Sequence, residues 1–364
     1  MIDNCLLCDS KRLALAVSVP KMPIVDGYTK TPNTHTLHKC DLYRCDDCGH
    51  VQLRDTLPPQ DMFSDYLFRT GDHANLVAHY RNYADWLIRE FDTSYVIEIG
   101  CNDGTLLDML PLRSRKLGID PSNVPVKHPI VREFLTPDVA RQVTAQYGHA
   151  PLIVANHVFA HTADMHGMME SIRLMMTSRG AFVFEVAYAQ DMLDKCLYDQ
   201  IEHEHISYHS LKSLIPFLNR HGLELTEYSR NQCKGGSIRC VTRPIDSAHF
   251  PTFTEDGSIF RYAAFADEIQ HRRERMAIVP HAIGYGAAAP CTSVMYQMNL
   301  QSFLTALVDD NVSRYGLYAP HSNLKVMPTE MLYEDDSPIV ILAPRYAEQI
   351  MARHPNIKHR FIVP

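Results

Sequence analysis

The sequence predicts an α/β protein in which a parallel, Rossmann-like sheet lies between a small cysteine-rich domain and a second, smaller α/β domain. Three features carry this prediction. Two C-x-x-C pairs fall within the first 50 residues, an apolar strand runs into a glycine loop near residue 100, and a second strand, glycine turn and helix follow near residue 285. A chain of 364 residues is too long for one ordinary core. We expect domains at residues 1–58, 59–245 and 246–364.

Composition narrows the function classes before any motif is considered. The formal net charge is -7 and no basic block occurs, which argues against a nucleic-acid partner. No apolar run approaches the roughly 20 residues that cross a bilayer, and the first residues lack the pattern of a signal peptide. Five of the ten cysteines are scattered singly, as is typical of a reducing compartment. We therefore expect a cytoplasmic protein that acts on a small molecule and has neither a membrane nor a nucleic-acid partner.

The N-terminal cysteines are expected to hold structural zinc. Each C-x-x-C turn aims two sulfurs at one point, and two such turns complete a tetrahedral thiolate site. The expected ligands are Cys5, Cys8, Cys45 and Cys48. The alternatives are free thiols or a redox pair, and the redox reading is disfavoured because no βαβ pattern surrounds either pair. Cys40 and His50 are spare donors with no assigned role.

The middle of the chain has the pattern of a nucleotide-binding sheet. The apolar strand 96–99 is followed by the loop 100–104 and a helical pattern, and "LGIDPS" supplies a second strand that ends at Asp120. The glycines permit a sharp turn close to a ligand, and an acidic residue at the second strand can accept hydrogen bonds from ribose hydroxyls. "APLIVANHVFAH" and "GAFVFEVAY" are the third and fourth strands, and Asn156 ends the third. A nucleotide fold without methyl transfer remains an alternative at this point.

Two groups of histidines follow the third and fourth strands, so both should emerge at the carboxyl edge of the sheet. His157 and His161 belong to the first group, and "QIEHEHISYHS" is the second. A helical zinc-protease motif needs H-E-x-x-H, and here Ser207 occupies the place of the second histidine, so a catalytic metal in this stretch is disfavoured. A histidine general base fits better, with Glu204 or Glu202 fixing its tautomer or contacting the substrate.

These pieces together resemble one known family, the three-domain sugar C-methyltransferases, which methylate C3 of dTDP-4-keto-deoxysugars. The resemblance covers nearly the whole chain and rests on the paired C-x-x-C turns and on "VIEIGCNDGTLL", "ANHVFAH", "FEV", "HEHISYHSL", "KGGSIR", "GYGAAA" and "VDDN" in that order. It implies a class I methyltransferase sheet and S-adenosylmethionine as the cofactor. The residues that it implies for cofactor binding are Glu98, Gly100, Asn102, Asp103, Gly104, Asp120 and Asn156.

The resemblance also implies roles for the remaining site residues. The family's base is the second histidine of H-E-H, here His205, and the neighbouring Glu204 contacts the sugar. His161 ends "ANHVFAH", and a family Tyr-x-Tyr stretch retains only Tyr66 here, because Phe68 stands at the second position. In this chemistry the base removes a proton beside a ketone, donors stabilise the enolate oxygen, and the carbon attacks the sulfonium methyl group.

The segment from about residue 246 reads as a smaller α/β unit, which in the family lies over the substrate; a plain domain kept for packing is the alternative. We expect substrate contacts from Lys234 and Arg239 in "KGGSIR" and from Tyr285 in "GYGAAA". Arg239 is suited to a pyrophosphate.

Two positions depart from the family pattern. Glu202 stands where the family usually has tyrosine, which we expect to place negative charge beside an anionic intermediate or to raise the pKa of nearby groups. Pro290 stands where the family usually has lysine, so a cation suited to a phosphate is missing. Cofactor binding is therefore expected to be kept while the acceptor differs. Alternatives are an isomerase or lyase that retains the cofactor, and a binding module without activity, which the intact motifs disfavour.

Overall fold

The computed structural model describes residues 1–63, 68–245, 259–279 and 281–364, and it confirms the predicted fold class. Within these residues the strands are β1 Leu13–Val17, β2 Leu42–Cys45, β3 Val51–Leu53, β4 Tyr95–Ile99, β5 Arg115–Ile119, β6 Ile130–Val131, β7 Ala150–Asn156, β8 Met176–Ala187, β9 Ser207–Tyr208, β10 Leu223–Asn231, β11 Ser237–Pro244, β12 Ala282–Tyr285, β13 Leu304–Val308, β14 Val326–Met327, β15 Ile339–Ile341 and β16 Phe361–Ile362. The α-helices are α1 Pro59–Phe63, α2 Ala74–Glu90, α3 Thr105–Met109, α4 Pro137–Tyr147, α5 Met165–Met175, α6 Ala189–Asp194, α7 Leu211–Arg220, α8 Ile259–Met276, α9 Ala289–Gln297 and α10 Ala347–Arg353. Short 3-10 turns connect several of them.

The central seven-stranded sheet provides the binding edge. Its order is β10-β11-β8-β7-β4-β5-β6, with β6, β5, β4, β7 and β8 parallel and β11 antiparallel to its two neighbours. The chain leaves β4 toward β5 on one side and returns to β7 on the other. The gap beyond the carboxyl ends of β4 and β7 is therefore a topological switch point, where such sheets bind ligands.

Helices cover both faces of this sheet because each has an apolar stripe at helical spacing. In α2 the buried residues are Tyr80, Tyr83, Ala84 and Leu87, and they pack on Val96, Leu152, Val154 and Val183 of the sheet. Complete burial of one such side chain stabilises the fold by about 1.5–3 kcal/mol. Helix α4 begins at Pro137 after the N-cap Thr136, whose hydroxyl accepts from Val139 N, and it packs on the other face with α5.

The N-terminal sheet is antiparallel and contains one strand from far along the chain. Its order is β1-β2-β3-β9, in which Gln52 of β3 lies opposite Ser207 of β9. Leu53 N also donates to Ile206 O at 2.8 Å. The segment directly after His205 is therefore part of the cysteine-rich domain's sheet.

The C-terminal sheet is parallel, with the order β14-β13-β12-β15-β16, so it has a second switch point at β12. The expected strand, glycine turn and helix appear as β12, Gly286 and α9, and Pro290 lies in the first turn of α9. Among the described helices, none is both long and apolar enough to cross a bilayer.

Candidate active site and zinc centre

The structure brings the four N-terminal cysteines to one point. Cys5 Sγ lies 3.5 Å from Cys48 Sγ, and Cys8 Sγ lies 3.5 Å from Cys45 Sγ. Tetrahedral zinc with four thiolates at about 2.3 Å places neighbouring sulfurs roughly 3.8 Å apart, so these four residues fit the metal. Because all four positions are protein thiolates, such a metal is closed to substrate. Cys40 and His50 are buried and lie outside this cluster.

The glycine loop after β4 has the backbone that its sequence requires. Gly100, Asn102 and Gly104 all have positive φ, at 67°, 52° and 79°. A Cβ on Gly100 would overlap Cγ2 of Val158, so only glycine fits this position. The loop therefore stays close to the segment that follows β7 and leaves its backbone amides near the switch point.

Two predicted cofactor residues use their side chains to hold another segment against this loop. Asn102 Oδ1 accepts from Thr70 N at 2.9 Å and its Nδ2 donates to Phe68 O at 2.9 Å. Asp103 Oδ2 accepts from Gly71 N at 2.7 Å. These hydrogen bonds hold the segment 68–72 against the glycine loop. This contact was not expected from the sequence.

The remaining cofactor candidates lie at the carboxyl edge of the central sheet. Oε2 of Glu98 and both amide atoms of Asn156 are buried without a hydrogen-bond partner among the described residues, at the carboxyl ends of β4 and β7. Burial raises the pKa of Glu98 well above its ordinary value. Asp120 follows β5, and its Oδ2 accepts from Asn102 N at 2.8 Å. Asp120 Oδ1 accepts from Ser122 N at 2.9 Å and also from Ser122 Oγ, so the carboxylate expected to hold ribose is hydrogen-bonded within its own loop.

The histidine-rich loop presents His205 as a neutral imidazole. His205 Nδ1 donates to Gln200 O at 2.7 Å, which leaves the Nε2 lone pair available as a base. Burial lowers the pKa of His205, so the neutral form persists below the ordinary titration range. Ile206 N donates to Ala160 O at 2.7 Å, and this bond joins the loop to the turn that carries His161.

Both predicted carboxylates lie inside this loop and are buried. Burial raises the pKa of Glu202 to about 8, against the lowering effect of Arg345. Burial and the neighbouring Glu202 likewise raise the pKa of Glu204 to about 8. Glu202 Oε1 is 3.5 Å from His205 Nδ1, and Glu202 Oε2 has no hydrogen-bond partner among the described residues. At neutral pH both groups are therefore mainly protonated and act as neutral donors.

The two histidines after β7 have different neighbours. The rings of His161 and His205 are edge to face, with centroids 5.2 Å apart. His157 has φ 56° and its Nε2 lies 3.6 Å from Cys233 Sγ. Burial lowers the pKa of both His157 and His161 well below the ordinary value, so both are neutral donors or acceptors.

Two cations lie close to the carboxylates, and sequence reasoning missed one of them. The ammonium of Lys234 is 5.2 Å from the centroid of the Phe68 ring. Arg345, from the C-terminal domain, donates to Asp199 Oδ2 at 2.7 Å and to Lys234 O at 2.6 Å. Its only signal in the sequence is its position just after β15, at the carboxyl edge of a parallel sheet.

Two predicted substrate contacts have other partners, and one predicted residue lies outside the described residues. Arg239 binds the buried carboxylate of Glu185 at 2.5 Å, not a surface open to pyrophosphate. The hydroxyl of Tyr285 donates to Asp310 Oδ1 at 2.9 Å and lies 3.1 Å from His354 Nε2. Tyr66 falls in the undescribed segment 64–67.

Comparison with known proteins supports this organisation. Family models match in succession a zinc binding domain at residues 5–63, a methyltransferase domain at 76–228 and a C-methyltransferase C-terminal domain at 232–364. C-methyltransferase NovU of Streptomyces niveus is 25% identical in an alignment of 401 positions that covers 100% of this chain and 95% of the relative.

Solved methyltransferase structures match a little under half of the chain. A SAM-dependent methyltransferase from Archaeoglobus fulgidus is 13% identical with a TM-score of 0.36, and the match covers 46% of this chain and 93% of that one. Magnesium protoporphyrin IX methyltransferase from Synechocystis PCC 6803 is 14% identical with a TM-score of 0.34, and the match covers 46% and 82%.

Proposed function

Because the chain belongs to the S-adenosylmethionine-dependent C-methyltransferases that join a zinc-binding, a methyltransferase and a C-terminal domain, we propose that it methylates the carbon beside the carbonyl of a nucleotide-linked keto sugar. The observation that carries the proposal is the state of His205. Its Nδ1–H is fixed by Gln200 O, so its Nε2 is an oriented, neutral base at the edge where the cofactor loop lies. The sugar class rests on the family resemblance.

The chain's own residues supply the proton transfer and the charge stabilisation. His205 Nε2 takes the proton from the carbon next to the carbonyl, and the electron pair of that C–H bond moves to the carbonyl oxygen. Neutral donors near the base, His161 and the protonated Glu204, stabilise the resulting enolate. S-adenosylmethionine, held by the glycine loop 100–104 and the carboxyl ends of β4 and β7, would supply the electrophilic methyl group for this carbon. Lys234 and Arg345 provide positive charge on the same side of the loop.

The test follows both the proton and the methyl group. Keto-sugar nucleotides are incubated with methyl-labelled cofactor in deuterated water, and product is analysed by NMR. The label should appear on the carbon beside the carbonyl. Label that stays off the product, with deuterium still incorporated, would mean an isomerase or lyase that keeps the cofactor without transferring methyl.

His205→Asn should lower kcat by about 10²–10⁴ and abolish deuterium incorporation, because the base is removed. Cofactor affinity, measured by calorimetry, should change little, since no cofactor candidate contacts this ring. The exposed His149→Asn is the matched control. In the wild-type enzyme the acid limb of kcat/KM should lie below pH 6.5, the ordinary value for histidine, because burial lowers the pKa of His205. A His205→Asn enzyme within a few-fold of wild type would rule out this base.

A further inference from the structure

A second group of metal-binding side chains lies beneath α2, away from the N-terminal cysteines. His79 belongs to α2, Glu185 to the end of β8, and Cys233 to the turn between β10 and β11. One ligand atom from each lies within 4.8 Å of both others, and we call these three residues the His79 cluster. His79 Nε2 is 2.7 Å from Glu185 Oε2. The proposed methyl transfer assigns no role to any of the three.

The carboxylate of this cluster is held in place by groups outside it. Glu185 is completely buried, and its Oε1 accepts from Arg239 Nε at 2.6 Å and from Asn231 Nδ2 at 3.3 Å. The Arg239 guanidinium is itself stacked 4.0 Å from the centroid of the Tyr83 ring. Hydrogen bonds from Arg239 and Asn231 therefore hold Oε1, while Oε2 faces His79. Hydrogen bonds of this kind, from residues that do not bind the metal, orient metal-bound carboxylates.

The ion pair of His79, Glu185 and Arg239 also includes a thiol, because Cys233 hydrogen-bonds to His79 and to His157, so three kinds of zinc ligand meet at one point. Cys233 Sγ lies 3.6 Å from His157 Nε2, about the separation of adjacent ligands on tetrahedral zinc. Imidazole nitrogen, thiolate sulfur and carboxylate oxygen together favour a borderline cation such as Zn²⁺ over Mg²⁺ or Ca²⁺. Three protein ligands are also the number found where zinc keeps a fourth position for water or substrate.

We propose that the His79 cluster binds a second zinc ion through His79 Nε2, Glu185 Oε2 and Cys233 Sγ, with the fourth position on the side of His157. Binding would displace the proton that His79 and Glu185 share and convert Cys233 to a thiolate. Unlike the N-terminal site, this site is not closed by four thiolates. Its fourth position takes water, on the side where Cys233 Sγ contacts His157 Nε2.

The test is metal content, which is independent of turnover and therefore of the proposed function. The full-length protein is saturated with zinc, passed through a desalting column and analysed for zinc and protein by mass spectrometry. Wild type should retain two zinc ions per chain, whereas Cys233→Ser and His79→Gln should retain one. Cys196→Ser, a half-buried thiol outside both groups, is the matched control and should retain two.

Cobalt substitution supplies a second readout. The thiolate-to-cobalt charge-transfer band of wild type should exceed that of Cys233→Ser, and the visible spectrum should lose the contribution of one mixed-ligand site. One zinc per chain in wild type overturns the proposal even where a variant fails to fold. Two zinc ions in folded Cys233→Ser would equally overturn it and leave the cluster as an ion pair beside an ordinary thiol.

Discussion

Replacing Glu202 with glutamine tests the protonation state of the loop through stability alone. The carboxyl is buried with one oxygen unpaired among the described residues, and its pKa is raised to about 8 from 4.5. Because the folded pKa is raised, the folded state binds a proton that the unfolded state has lost. Stability from this group is complete below pH 4.5 and is lost as pH rises to about 8. At about 1.4 kcal/mol per pH unit, the loss between pH 5 and pH 8 is at most ~4 kcal/mol.

Glu202→Gln keeps the shape of the protonated acid and removes this loss. The variant should match wild type near pH 5 and be more stable at pH 8 by at least ~1 kcal/mol and at most the ~4 kcal/mol derived above. Part of this gain in stability comes from Glu204, because Glu202 contributes to the raised pKa of Glu204 and the substitution removes that contribution. Urea unfolding at several pH values, followed by the fluorescence of the single tryptophan, Trp86 on α2, measures it.

The exposed Glu227→Gln is the matched control and should follow wild type at every pH. A Glu202→Gln variant that loses as much stability as wild type between pH 5 and pH 8 would refute the reasoning. So would a variant that is less stable than wild type at pH 8, since that result would mean an ionised, well-paired carboxylate.

Two further predictions concern the cofactor loop and the zinc domain. Gly100→Ala should weaken S-adenosylmethionine binding at least tenfold in calorimetry, because the added Cβ overlaps Val158 at a position with positive φ. Gly148→Ala is the control and should bind normally, because a Cβ at Gly148 meets no other atom. Unchanged affinity in Gly100→Ala would contradict the close approach of the loop to Val158. Cys8→Ser should weaken the N-terminal zinc site and raise hydrogen exchange in residues 200–210, because β9 pairs with β3. If the increase in hydrogen exchange is confined to residues 1–53, the zinc domain does not support the loop.

Features encoded by short contiguous patterns could be predicted from the sequence. The C-x-x-C pairs, the glycine loop with its following acid, and the histidines after β7 and β8 each act through neighbours in the chain, so spacing alone placed them. The parallel sheet followed from strands that alternate with helical patterns.

Contacts between distant segments could not be predicted, because they leave no local periodicity. Strand β9 has two residues and pairs with a strand more than 150 positions earlier, and Arg345 reaches Asp199 from another domain. Arg239 was expected to bind a pyrophosphate because it follows a glycine turn. Its partner is instead Glu185, whose apolar strand context gave no sign that its charge would be buried and paired.

The departure at Glu202 has a different meaning once the burial of its side chain is considered. From the sequence, a carboxylate in place of the family's phenol predicts added negative charge beside an anionic intermediate. In the structure the pKa of this group is about 8, so near neutral pH it is mainly an uncharged O–H donor, as a phenol is. Its Oε1 lies 3.5 Å from His205 Nδ1, so Glu202 faces the side of the ring opposite the basic Nε2 and bears on how the base is oriented.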